Sequence, residues 1–334
     1  MDKITLVSPL DMHLHLRDGE MLQNVAHFSA KNFSAAVVMP NLNPPICSVK
    51  EALAYKQRIL EAAKGSDFVP LMTLYLTESL NKEELSEAKK QGIFILKLYP
   101  KGATTNSESG VSEILNPKIL EILAIAQDLE MILSIHGESN GFVLEREREF
   151  CPVFETLAKT FPKLRIIFEH LSDSRSLDLI EKYDNLFATL TLHHLTLSLD
   201  DVAGGALNPH LFCKPILKTK KDQKALLEIA LSGHQKFSFG SDSAPHLQSA
   251  KETSRGAAGI FSAPILLPSL VELFEKHNAL ENLPKFISQN AQKIYKIIPL
   301  LKEITLTRKP FKIPPIYSGV VPMRAGEIIS WSFE

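Results

Sequence analysis

Short apolar runs of four to eight residues recur along this chain, and between them apolar positions fall every three or four residues. The first pattern belongs to buried strands, the second to helices with one face on a core. Eight runs stand out, at about 11–16, 34–39, 69–76, 93–99, 131–135, 164–168, 186–192 and 236–239. The helical stretches carry their own end signals. Ser48, with Glu51 three residues later, makes a capping box that opens a helix with apolar positions at 49, 52, 53, 59, 60 and 63, stopped by Gly65. Asn81 caps a short charged helix that ends at Gly92, and Asn116-Pro117 starts another that runs to about Glu130.

Strands alternating with helices predict an α/β fold with a parallel sheet, and eight of them suggest closure into a (β/α)8 TIM-type barrel. A doubly wound open sheet is the competing arrangement. The polar residues decide between them. His13 and His15, Lys97, His136, His170 and Asp242 fall at the C-terminal ends of strands one, four, five, six and eight. An open sheet would string these ends along a line, whereas a barrel gathers them around the mouth where barrel enzymes keep their active sites. In the first strand the two-residue period puts His13 and His15 on one face and turns Met12, Leu14 and Leu16 towards an apolar layer. There is no internal repeat and no low-complexity segment. A single domain is expected over 1–334, its barrel spanning about 10–295. The proline-rich 296–334, strand-like again at 326–331, is expected to pack on the outside as a short C-terminal extension.

Composition narrows the class without naming a function. An apolar fraction of 45% and a charged fraction of 22% are those of an ordinary soluble globular protein. A net charge of −1 leaves no electrostatic footprint for nucleic acid or an anionic membrane. Cys47, Cys151 and Cys213 are widely spaced with no Cys-x-x-Cys, which argues for reduced thiols in a cytosolic protein. Residues 1–4 lack the basic start of a secretory signal, and no apolar run approaches the roughly 18 residues of a membrane span. A cytoplasmic protein is expected.

Four histidines and an aspartate at strand ends offer nitrogen and oxygen ligands suited to zinc, with no thiolate among them. Lys97 stands out, because an ammonium is repelled by divalent cations and burial favours the neutral amine. A neutral lysine amine reacts with carbon dioxide to give a carbamate, an anionic ligand whose two oxygens can bridge two metals. Metals about 3.5–4 Å apart would share a hydroxide, because they lower the pKa of bound water. Asp242 is then placed to take the proton as that hydroxide attacks and to deliver it to a leaving nitrogen. The reaction class is hydrolysis, or reversible condensation, of an amide-like bond. Arg17 shares the face of the paired histidines, Asn41 ends the second strand, and His246 follows Asp242 by four. A guanidinium beside a dicationic site makes sense if it grips a substrate carboxylate. The plainer role for Arg17 is a salt bridge to Asp18 or Glu20.

Five segments carry a family resemblance: Asp11-x-His-x-His-x-Arg17, Met39-Pro-Asn-Leu-x-Pro-Pro45, Lys97-Leu-Tyr-Pro with Ala-Thr-Thr-Asn106, Phe168-Glu-His170, and Gly240-Ser-Asp-x-Ala-Pro-His246-x4-Lys251. From about residue 10 to 295 the chain resembles the dihydroorotases of the amidohydrolase superfamily, in their shorter bacterial form. The resemblance implies a cyclic amide hydrolase that interconverts N-carbamoyl-L-aspartate and L-dihydroorotate in de novo pyrimidine biosynthesis. It implies two Zn2+ per chain, held by His13, His15, carboxylated Lys97, His136, His170 and Asp242, and bridged by the carbamate and a hydroxide. It assigns the substrate carboxylate to Arg17, Asn41 and His246, and the acid/base role to Asp242. Backbone groups at Lys214 and Ala258 would line the pyrimidine ring; the lysine departs from the apolar residue expected there. A homodimer is implied, as is a loop at 101–110 that closes over substrate through Thr104 and Thr105. With glycines at 102 and 110 and no bulky apolar residue, that loop reads as a mobile lid.

Three rivals are weaker. A hydantoinase- or allantoinase-like enzyme shares the metals but not the carboxylate clamp. A nucleobase deaminase has less use for a bridging lysine. A non-catalytic scaffold relative predicts lost ligands, and none is missing.

Overall fold

The computed structural model describes residues 2–334; Met1, the first residue of the expected domain, lies outside them. After an outlying strand β1 (Lys3–Val7) come eight parallel strands: β2 (Leu10–Leu14), β3 (Ala35–Val38), β4 (Val69–Tyr75), β5 (Ile95–Leu98), β6 (Ile132–Ile135), β7 (Arg165–Phe168), β8 (Leu186–Leu190) and β9 (Phe237–Phe239). They pair in chain order from β2 to β9. The ring closes where the end of β2 meets the chain after β9. There the Asp242 N–H donates to the His13 carbonyl at 2.8 Å and the His15 N–H to the Ser243 carbonyl at 3.1 Å. The architecture is the expected TIM-type barrel, with the helices around it. Among the described residues no helix is long and apolar enough to cross a membrane.

The helix signals act as the sequence predicts. Ser48 and Glu51 form a capping box on Val49–Ala62, Asn81 caps Lys82–Lys90, and Asn116 caps Pro117–Asp128. Two local expectations change. The run at 186–192 stops as a strand at Leu190, because the Thr191 side chain accepts the His194 N–H and begins the short helix Leu192–Thr196. Met12 does not share a face with Leu14 and Leu16. It packs with Leu10, Val37, Ile95, Ile132 and Ile167 in one buried cluster, while Leu14 and Leu16 belong to the larger layer shared with the helices. The cause is a register shift in β2 between Asp11 and Leu14. Such an irregularity restarts the two-residue alternation.

That shift divides the barrel interior into two storeys. The lower one is apolar, closed from below by Ile294 and Tyr295 of the helix Asn290–Tyr295. One inward position higher, Ile95 gives way to Lys97, Ile132 to Ser134, Ile167 to Glu169 and Phe187 to Thr189. The chain from 299 onwards returns to its own beginning. Strand β10 (Glu303–Thr307) pairs antiparallel with β1, a short ribbon joins β11 (Phe311–Lys312) to β12 (Ile328–Ile329), and β13 (Ser332–Phe333) adds to β10. Trp331, fully buried, donates its indole N–H to Glu275 at 3.1 Å.

Asp11 fastens the barrel seam. Its carboxylate accepts the Ser241 backbone N–H at 2.7 Å and the Ser241 hydroxyl at 2.6 Å, wholly out of solvent. Burial raises its pKa to about 7 against the pull of those donors. Leaving two buried donors unpaired costs ~1–3 kcal/mol each. Asp11→Ala is therefore expected to lower the unfolding free energy by roughly 2–6 kcal/mol in a urea titration. An unchanged midpoint would mean that the backbone bonds alone close the ring.

Candidate active site

Six side chains from five strand ends meet in the upper storey. His13 and His15 leave β2, Lys97 ends β5, and His136 and His170 follow β6 and β7. Asp242 follows β9, and all six are buried. His170 and Asp242 hold positive φ angles of 41° and 45°, as does Arg17 at 57°. Non-glycine residues adopt this region only when their surroundings force it, at a cost of ~1–3 kcal/mol each. Gly240 is needed for close approach: a Cβ there would lie 3.0 Å from the Cβ atoms of both His13 and Thr189.

His13 and His136 are each aimed by a carboxylate behind them. The His13 Nδ1–H donates to Glu169 at 2.8 Å, and Glu169 also accepts from Ser134 at 2.5 Å and Thr189 at 2.6 Å. The other His13 nitrogen, Nε2, then faces Asp242 Oδ1 at 3.5 Å, and His15 Nε2 lies 3.1 Å from the same oxygen. The His136 Nε2–H donates to Glu138 at 2.6 Å, which turns its Nδ1 towards His170 Nε2, 3.2 Å away. A carboxylate behind a histidine fixes the tautomer and raises the basicity of the forward nitrogen, as behind metal-bound histidines generally.

Burial sets the charge states. It lowers the pKa of His13 to about 4 despite Glu169, and those of His15 and His170 well below the usual histidine value, helped by neighbouring cations. All three are neutral imidazoles, the form that binds metals. Burial also lowers Lys97 to about 8, against the attraction of Glu169 and Asp242. Its amine finds no hydrogen-bond partner among the described residues, only the face of the Tyr99 ring 5.0 Å away. Neutral imidazoles, a carboxylate and an unsatisfied amine, converging in a water-poor pocket, fit divalent cations. His13, His15 and Asp242 bring their ligand atoms within 4.8 Å of one another.

Beside this group the structure builds a small cavity of about 20 Å3, lined by His15, Arg17, Asn41, Thr104, Thr105, Lys214, Asp242, Ala244, Ala258 and Gly259. That is room for about one water. Arg17 does not pair with Asp18, whose carboxylate is taken by Arg58 at 2.7 Å. Its guanidinium donates instead to His246 Nε2 at 2.9 Å and to the Pro245 carbonyl at 3.3 Å. Burial and the adjacent Arg17 hold His246 down at about 3, so it is a neutral acceptor.

The 101–110 loop lies over the mouth. Asn41 donates to the Thr105 carbonyl at 3.0 Å, Asn106 returns a bond to the Asn41 carbonyl at 3.0 Å, and the Thr105 hydroxyl reaches the Ala258 carbonyl at 3.4 Å. The Lys214 side chain, which the family resemblance left without a role, donates to the Ala103 carbonyl at 3.0 Å.

Three supporting residues escaped the sequence reading. Glu169 was visible as the residue before His170 in Phe-Glu-His, and Glu138 as the residue two beyond His136; only the fold shows that they point back at histidines. Lys251 ended a quoted motif but had no task. It is buried and donates to the carbonyls of Phe212 at 3.0 Å and Gly259 at 2.5 Å, tying together the two backbone walls beside Lys214 and Ala258.

A barrel with a cluster of histidine, lysine and aspartate at its mouth defines a metal-dependent hydrolase. Residues 5–298 match the amidohydrolase family, and the chain belongs to it. Within that family it belongs with the dihydroorotases. It is 60% identical to the dihydroorotase of Helicobacter hepaticus over 333 residues, 98% of this chain and 97% of that one. The crystal structure of dihydroorotase from Campylobacter jejuni superimposes with a TM-score of 0.95 at 47% identity, covering 99% of this chain and 97% of that one. Dihydroorotase from Saccharomyces cerevisiae in complex with 5-fluoroorotic acid superimposes with a TM-score of 0.94 at 35% identity, covering 100% of this chain and 99% of that one. These matches do not support the hydantoinase-like and scaffold alternatives.

The Lys214 contact gives a test of the loop. A hydrogen bond worth a net ~0.5–1.5 kcal/mol shifts the closed state by roughly 2- to 10-fold. Lys214→Met should raise KM by about that factor while the melting temperature stays put. An unchanged KM would mean that the Lys214 contact plays no part in substrate binding.

Proposed function

We infer that this chain catalyses the reversible cyclisation of N-carbamoyl-L-aspartate to L-dihydroorotate with loss of water, a step of de novo pyrimidine biosynthesis. The observation that carries the reading is the Arg17–His246 pair, whose Arg17 lines the same loop-covered cavity as Asp242. The ligand set suits two zinc ions. His13, His15 and Asp242 would hold one, His136 and His170 the other, with Lys97, carboxylated, shared between them. Bound there, the metals would polarise the amide carbonyl and make water nucleophilic near neutral pH.

The chain's own residues do the rest. Arg17, with Asn41 and His246, holds the ring carboxylate and so presents the scissile amide to Asp242. In the opening direction Asp242 removes a proton from the attacking water and passes it to the departing ring nitrogen. In the closing direction it takes that proton back from the attacking ureido nitrogen and delivers it to the leaving oxygen. Burial raises the Asp242 pKa against the lowering effect of the neighbouring histidines and Lys97, which suits a group that must gain and lose a proton. Backbone groups at Lys214 and Ala258 line the ring, and Thr104 and Thr105 close over it, excluding water. The yeast relative was crystallised with 5-fluoroorotic acid, a pyrimidine that carries the carboxylate Arg17 would grip. Two further parts complete this reading: a homodimer, from the family resemblance, and a cytoplasmic location, supported by three free, widely spaced cysteines.

Two variants separate the roles. Asp242→Asn is expected to cut turnover by at least the ~10²–10⁴-fold that acid–base catalysis supplies. Arg17→Met is expected to weaken dihydroorotate binding by roughly 2–5 kcal/mol, because His246 and the substrate carboxylate lose their shared partner. Normal dihydroorotate binding by Arg17→Met would move the clamp elsewhere. Unchanged hydrolysis of a cyclic amide lacking the acid, alongside lost dihydroorotate activity, would confirm that Arg17 serves the carboxylate alone.

The balance of the reaction fixes a pH dependence. Ring closure turns one of two carboxylates into an amide and consumes one proton. The equilibrium ratio of dihydroorotate to carbamoyl aspartate should therefore fall about tenfold for each unit of rising pH around neutrality. Product ratios after exhaustive incubation at pH 6, 7 and 8 check this. A ratio that ignores pH would contradict the assigned reaction.

A further inference from the structure

The end of β8, which the proposed reaction leaves unused, carries two consecutive histidines. His193 and His194 sit in the short helix Leu192–Thr196, both buried, and the buried Cys213 faces them. Ligand atoms of the three lie within 4.8 Å of one another. His193 has no hydrogen-bond partner on either ring nitrogen among the described residues. A neutral imidazole carries one N–H and one lone pair, and burying both without partners is costly. His194 is held as the Nε2–H tautomer, which donates to the Pro215 carbonyl at 3.1 Å while Nδ1 accepts from the Thr191 hydroxyl at 2.9 Å. The hydroxyl can also accept, so a cation that displaces the Pro215 bond can take the Nε2 lone pair while the proton sits on Nδ1. The Cys213 thiol donates to the same Pro215 carbonyl at 3.2 Å.

We propose that His193, His194 and Cys213 form a separate metal site for a zinc-class cation, fastening the end of the seventh barrel strand to the 212–215 wall of the substrate cavity. The donor set is two imidazoles and a sulfur, softer than the nitrogen–oxygen set at the barrel centre and suited to zinc or cobalt. Burial keeps both imidazoles neutral, which is the ligand form, and keeps Cys213 protonated until a cation arrives. Binding then replaces the S–H bond by a sulfur–metal bond and releases one proton to solvent. The wall so fastened has consequences for substrate. Cys213 precedes Lys214, which holds the loop at Ala103, and follows Phe212, whose carbonyl is gripped by Lys251 and by the Gly259 N–H.

Sulfur makes the test selective, because no thiol stands among the ligands proposed for the catalytic metals. Purified full-length protein, stripped of metal and titrated with Co2+, should develop a thiolate-to-cobalt charge-transfer band in the near ultraviolet, with one proton released for each cobalt bound at this site. The band should vanish in Cys213→Ser, persist in Cys47→Ser and Cys151→Ser, and require at least tenfold more cobalt in His193→Asn. A cobalt-soaked crystal of the unsubstituted protein, which needs no variant to fold, should show anomalous density between the three side chains. Either no thiolate band in the unsubstituted protein or a band that survives Cys213→Ser would overturn the proposal. An anomalous map with cobalt at the barrel centre and none between His193 and Cys213 would overturn it as well.

Discussion

A charge taken out of water must find its compensation within a few ångströms, and this barrel buries Asp11, Lys97, Glu169 and Asp242 within one mouth. The rest of the site follows from how that demand is met. Asp11 is bonded to the seam. Glu169 is surrounded by three donors and, although burial works against it, is held below the usual carboxylate range by His13, Lys97 and Ser134. His13, His15 and His170 yield by staying neutral. Lys97 has a ring face and no oxygen, so it is the group whose chemistry is left open, and an amine depressed to about 8 is partly free base at neutral pH. Reaction with carbon dioxide would convert the least satisfied member of the cluster into an anion among cations.

The substrate side follows a different rule. Arg17, His246 and Asn41 are held by backbone and by one another, so they stand oriented before any carboxylate arrives. The loop over them is fixed mainly through carbonyls, at Ala103, Thr105 and Asn41, each met by a side chain from the barrel or loop. Such bonds are individually weak and exchange readily with water, which lets a segment of small polar residues be ordered and released at little cost. In the proposed reaction the precise groups would sit on the rigid barrel, and the loop would contribute exclusion of water more than alignment.

The fold was legible because each strand announced itself as an apolar run and each of three helices by its cap; all eight barrel strands stand where the pattern put them. The six side chains that meet at the mouth could be named because strand ends in a closed barrel converge. What stayed hidden had physical causes. The alternation rule placed Met12 beside Leu14 and Leu16, but a shift of register inside β2 leaves no mark in composition, and it changes which storey a side chain occupies. Thr191 ended a strand early because a cap and a β-branched strand residue look alike in sequence. Lys214 read as a misfit because the family resemblance expects an apolar side chain there and assigns only its main chain, while the acceptor of its amine lies 111 residues away. Glu169 and Glu138 were invisible as orienting groups for the same reason: their partners are set by the sheet and not by local spacing.

The strained residues stand where backbone and side chain are both committed. Regular strands would carry their alternation straight to the mouth and offer one inward side chain per level. His13 and His15 must instead turn inward above Met12, and Asp242 must bring its carboxylate to both while its N–H bonds the His13 carbonyl. A backbone that does both has little room in the usual regions, and Asp242 takes a positive φ, as do His170 and Arg17. Each is a local choice that opposes intrinsic preference, and the three fall on the residues argued to bind metal or substrate. A sequence selected for stability alone would place glycine or asparagine at such positions. Keeping aspartate, histidine and arginine there trades backbone ease for chemistry, which is the pattern expected when function holds a residue against the fold's own preference.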